Sequence, residues 1–163
     1  MRRINNPETG KDISTAGQCF MAAWVLAESM HMDYKDAASR HGKSGATDIT
    51  IVHAWVMGQS EAAGIRFVHA WVEFMQDGEP MIADMSKGYS YGDKQANAKL
   101  IPKEIYYRIG HVEVDSIRRY TYEEAQRNIL DLHDGSVGPW DTELFHVCAI
   151  LPDGTELPWR EDR

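Results

Sequence analysis

The apolar residues of this chain begin as one unbroken block and then turn to alternation. Phe20, Met21, Ala22, Ala23, Trp24, Val25, Leu26 and Ala27 follow one another without a polar residue. A segment apolar on nearly every side predicts a central, buried helix over residues 20–30. Ser14 or Thr15 stands where a side-chain oxygen can cap it. A further short helix is expected at 34–40 and a loop at 41–45. Residues 49–57 and 65–75 read as two strands joined by a turn at 58–64, an antiparallel hairpin. The second strand leads through the Asp77-Gly78 turn into a third, which ends in Met81-Ile82-Ala83-Asp84.

Strand alternation divides the second strand into two faces. Val68, Ala70, Val72 and Phe74 form a core face. Phe67, His69, Trp71 and Glu73 share the other, where the polar tip of His69 looks out of the sheet and Asp84 of the next strand comes alongside. The pentapeptide Val-His-Ala-Trp-Val occurs at 52–56 and again at 68–72. Five residues at a single offset are explained by two neighbouring strands in similar surroundings, so no repeat unit is inferred.

Further along, residues 85–92 form a turn-rich loop whose Tyr89 and Tyr91 suit a cleft wall. The stretch 101–108, with Pro102, fits a helix start or a strand edge. A short strand is expected at 112–115. Thr121-Tyr122-Glu123-Glu124 resembles a capping box, feeding a helix to about residue 132 with Ala125, Ile129 and Leu132 on one face. Residues 135–139 end it. A late strand at 144–151 closes with the Pro152-Asp153-Gly154 turn, and residues 1–13 and 160–163 are expected to be irregular. The fold class is therefore α+β, one domain over 1–163 with its core at about 15–151.

Composition agrees with a single core: 163 residues, 43% of them hydrophobic. The formal charge of -8 is concentrated late, with five Lys/Arg against twelve Asp/Glu in residues 111–163. Such a surface repels phosphate backbones and argues against nucleic-acid binding. Met1-Arg2-Arg3 runs into a polar stretch unlike a secretory signal, and no apolar run approaches a membrane span. The two cysteines, Cys19 and Cys148, are far apart and give neither a disulfide framework nor a metal knuckle. A soluble protein of the reducing cytoplasm is expected, with no membrane partner.

The candidate chemistry sits on three residues. If the first helix begins near Ala16 or Gly17, Cys19 falls in its first turn, where free amides and the positive end of the dipole favour a thiolate. His69 steadied by Asp84 supplies a base with its orienting carboxylate. A cysteine opening a buried helix, then His-Ala-Trp-Val-Glu, then Asp-Gly, then Ala-Asp resembles the core of the transglutaminase-like and papain-like thiol enzymes. That resemblance, over about residues 15–88, implies a helix carrying the cysteine packed on an antiparallel sheet carrying the histidine and aspartate. It implies Cys19 as nucleophile, His69 as general base and Asp84 as orienting acid. The activity implied is acyl transfer on amide bonds of a protein, peptide or small amide, as protease, amidase, deamidase or transglutaminase, without a cofactor or metal.

Cys148, in the alternating stretch Phe145-His146-Val147-Cys148 with no acid and base pattern around it, reads as core. His53 shares its pentapeptide with His69 but brings no early carboxylate-bearing strand, and it is the decoy. Gln18 points about 100° away from Cys19 on a helix and is set aside as an oxyanion donor. Two other readings remain open at this point: a catalytically inactive member of the fold that binds a protein, and a zinc site using some of the seven histidines with Cys19 or Asp84.

Overall fold

The computed structural model describes residues 18–41, 46–59, 62–84 and 99–159. The chain folds as α+β around an antiparallel sheet. The helix α1 (Gln18–His41) precedes β1 (Ala46–Met57), β2 (Arg66–Gln76), β3 (Glu79–Asp84) and β4 (Lys99–Pro102). Then come α2 (Lys103–Ile109), β5 (Arg118–Thr121), α3 (Tyr122–Arg127), β6 (Ala149–Ile150) and β7 (Glu156–Leu157). The strand order is β4-β3-β2-β1-β5, with β6 added to β2 and β7 to β6. Among the described residues no helix is long and apolar enough to cross a membrane.

The central hairpin forms as the alternation predicts. Its register sets His53 opposite Ala70, Ala54 opposite His69, Trp55 opposite Val68 and Val52 opposite Trp71. Residues directly opposite share a face, so each ring stands over a small or branched neighbour. The turn into β3 uses Asp77 at φ 51° and Gly78 at φ 80°, the paired positive dihedrals of a type I′ hairpin.

Both faces of the sheet are covered. On one, Phe20, Ala23 and Ala27 of α1 pack with Ile51, Val68, Val72 and Phe74. On the other, Val52, Ala54, Val56, Trp71 and Ile82 pack beneath Tyr106 and Tyr107 of α2. The second face therefore does not open to solvent as the simple alternation suggests: His69 is 6% exposed and Glu73 6%. A helix laid over that face closes it.

Several boundaries differ from the sequence reading. The first helix runs unbroken through the expected second helix at 34–40, because residues 30–34 contain neither glycine nor proline. It is not buried all round, since Met21 and Met32 are exposed; a helix on the outside of a sheet needs only one dry side. Residues 101–108 hold both options at once, β4 and then α2 beginning directly after Pro102. The strand expected at 112–115 is absent; Val114–Ser116 is a single 3-10 turn, and the strand follows it as β5. The capping box is present, with Glu124 N donating to Thr121 Oγ1 at 3.1 Å and Thr121 N to the Glu124 carboxylate at 3.1 Å.

After α3 the helix widens into a π turn, Asn128–Leu132. The wider turn changes the phase, so Ala125 and Ile129 stay buried while Leu132 is 64% exposed, contrary to its expected place on their face. The strand at 144–151 shrinks to β6. Ahead of it, Asp141 turns the chain by accepting from Leu144 N and Phe145 N. The expected cap at Ser14 or Thr15, the 85–92 loop and the two irregular tails lie outside the described residues.

Candidate functional site

Cys19 is the second residue of α1, and the body of that helix packs on the face that carries Val68, Ala70 and Val72. His69 leaves β2 from the opposite face, beside Phe67 at 5.7 Å and Trp71 at 5.9 Å between ring centroids. Cys19 is nonetheless near enough to the imidazole to help raise the His69 pKa, behind the larger effect of Asp84. Among the described residues, β2 pairs with β3 only from Val72 onward and with β6 only up to Phe67.

The other side of the ring is held by β3. His69 Nε2 lies 3.0 Å from Asp84 Oδ2, with both side chains buried. Burial alone would lower the pKa of His69; the charge and hydrogen bond of Asp84, joined by those of Cys19, outweigh it and raise the value to about 10. The ring is therefore an imidazolium at neutral pH. Of the three residues that the sequence singled out, the structure pairs His69 with Asp84 directly.

It also adds one that the sequence did not. The Tyr106 hydroxyl of α2 donates to Asp84 Oδ2 at 2.6 Å, the same oxygen that faces the imidazole. Burial first, and then the Asp84 charge, raise the pKa of this phenol well above its ordinary value, so it remains a donor. The signal in the sequence was only Tyr106-Tyr107 after Pro102, with nothing to say which carboxylate either would reach.

Tyr107 reaches the second one. Its hydroxyl donates to Glu73, which also accepts from Trp71 Nε1 at 3.3 Å and Arg119 Nε at 3.2 Å and lies 3.4 Å from Lys103 Nζ. A buried carboxylate with two cations and two neutral donors is satisfied. Glu73 thus joins β2, α2 and β5.

His53 is a different object from its twin. It is fully buried, and neither ring nitrogen has a hydrogen-bond partner among the described residues. Phe20, Tyr120 and Trp140 surround it at 4.9, 5.1 and 5.0 Å. Burial lowers its pKa to about 3. Cys148 is buried with Ile65 and Ala149, its sulfur 3.6 Å from the Pro158 carbonyl. Among the described residues no group of three His, Cys, Asp or Glu side chains is placed to hold a metal ion.

Access to the trio is narrow: Cys19 is 9% exposed, His69 6% and Asp84 7%. A cavity of about 240 Å³ lies elsewhere, between Phe145, Trp159 and Gly138, and one of about 110 Å³ beside Glu73 and Lys103. Neither is lined by Cys19, His69 or Asp84. Comparison with protein-family models, with curated proteins and with solved structures finds no match.

Proposed function

We propose that this chain is a cysteine-nucleophile acyl-transfer enzyme acting on amide bonds of a protein, peptide or small amide. One observation supports the reading: the buried His69 ring lies 3.0 Å from the Asp84 carboxylate, and Cys19, in the first turn of α1, acts on the titration of the same ring. The order Cys19, His69, Asp84 and the run His-Ala-Trp-Val-Glu to Ala-Asp support the likeness to transglutaminase-like and papain-like enzymes.

In this reading the sulfur and the ring act in turn. The Cys19 thiolate attacks the substrate carbonyl carbon, and a C–S bond forms as the carbonyl oxygen takes the negative charge. The His69 imidazolium gives its proton to the leaving nitrogen, the C–N bond breaks and a thioester remains. The ring, now neutral, takes a proton from water or an amine as that nucleophile attacks. The C–S bond then breaks, the acyl product leaves, and thiolate and imidazolium are restored. Asp84 keeps one ring nitrogen occupied and the other turned to the sulfur.

A second reading has an observation of its own. Cys19, His69 and Asp84 are all buried and line neither cavity, which favours an inactive member of the same fold that binds a protein. Iodoacetamide labelling near pH 7, with Cys148 as internal reference, separates the two. The enzyme reading expects Cys19 to react at least tenfold faster than Cys148 and amidase activity to vanish in Cys19→Ala and His69→Ala. Equal, slow labelling of both thiols would exclude it.

A further inference from the structure

We propose that Tyr106 is a positioning residue of this centre, holding the Asp84 carboxylate so that its Oδ2 stays in line with His69 Nε2. This rests on the reading of Cys19, His69 and Asp84 as nucleophile, ring and orienting acid. The carboxylate torsion of an aspartate is broad and roughly two-fold, so its direction is set by what it bonds. Asp84 is the last described residue of β3. A phenol at 2.6 Å and an imidazole at 3.0 Å converge on one of its oxygens. Two partners on a single oxygen fix the plane of the carboxylate as well as its distance.

The phenol comes from a different layer. Tyr106 lies on α2, with its ring 5.3 Å from Trp71, which in turn flanks His69. Among the described residues, the charged and titratable groups around the imidazole are Asp84 on β3, Cys19 on α1 and Tyr106 on α2. The next shell holds Tyr107 and Glu73 with Arg119 and Lys103. Of these described groups, Tyr106 donates to the oxygen that the ring uses. A neutral donor there keeps the carboxylate ionised and turned inward without adding a competing charge.

The test is Tyr106→Phe, which removes one oxygen and keeps the ring against Trp71, with Tyr107→Phe as the neighbouring control. The full chain is labelled with ¹⁵N-histidine, and the His69 titration midpoint is read by NMR beside the pH profile of Cys19 alkylation by iodoacetamide. A hydrogen bond to a charged group of this kind corresponds to about a tenfold effect. Expected in Tyr106→Phe is a midpoint lower by about one pH unit and alkylation at pH 7 about tenfold slower. Tyr107→Phe should leave both within twofold of the parent.

An unchanged or higher midpoint in a folded Tyr106→Phe protein overturns the proposal, as does an equal fall in Tyr107→Phe. Should Tyr106→Phe not fold, Tyr106→Met takes its place, since it keeps a flexible apolar side chain against Trp71 and has no hydroxyl for Asp84. The same fall in midpoint is expected there, and a midpoint equal to that of the parent would overturn the proposal. Slow alkylation of the parent protein would sink the enzyme reading alone. The midpoint difference would still decide the role of the tyrosine.

Discussion

Asp84→Asn is the sharpest perturbation of the fold and the site together, because it removes one charge and keeps the shape. The pair it breaks lies 3.0 Å apart with side chains 7% and 8% exposed. Removing one partner of a buried pair costs about 3–5 kcal/mol. Asparagine still offers an oxygen to Tyr106, which places the expected loss at the lower end, about 3 kcal/mol at pH 7. For a chain of this length that is a fall in Tm of about 6–12 °C.

The pH dependence gives a second handle. His69 has its pKa raised from 6.5 to about 10, so its contribution is fully present below pH 6.5. It is lost as pH rises through the folded value, with a slope of about 1.4 kcal/mol per unit in between. Urea unfolding of parent and Asp84→Asn between pH 6 and 10 should give curves that differ most at pH 6 and converge towards pH 10. A constant difference across that range, or less than about 0.5 kcal/mol at pH 7 where about 3 is expected, would refute the charge argument.

Three further outcomes are expected. His53→Leu should match or exceed parent stability at pH 7, since it removes two buried nitrogens without partners among the described residues, each costing about 1–3 kcal/mol. Its advantage should grow in acid: the depressed His53 pKa of about 3 means that folding favours the neutral ring. Parent stability attributable to this ring is present above pH 6.5 and falls as pH drops towards 3, a trend that urea unfolding of His53→Leu should lack. Gly138→Ala should cost about 3 kcal/mol or more, because Gly138 has φ +123° and a Cβ there would stand 2.6 Å from His53 Cε1; thermal unfolding checks it. Thr121→Ala should lose about 1 kcal/mol by deleting the acceptor of the Glu124 amide, read by the same scan.

Much of the scaffold was legible where a rule of short range decided it. The β1–β2 hairpin followed from alternation, the β2–β3 turn from Asp77-Gly78, and the start of α3 from Thr121 and Glu124. The pairing of His69 with Asp84 was legible from residue type and order. What escaped depends on partners distant in the chain. Arg118-Arg119-Tyr120-Thr121 does not look like a strand until Asp141 and Glu73 are there to receive the two arginines. Leu132 shows no sign in sequence of the widened turn that exposes it. Tyr106 has no local mark at all, because its importance lies in an oxygen 22 residues away.

The facing of His53 on Ala70 and His69 on Ala54 makes the duplicated pentapeptide a lock on alignment. A slip of one step between the two strands would set His53 squarely against His69, two bulky rings in one slot, and would turn every side chain of one strand over. The same lock sorts the copies. Held in its proper step, the sheet sends one imidazole into an oily cage and delivers the other to an acid. Identical stretches of chain thus acquire unlike chemistry through nothing more than the parity of their pairing.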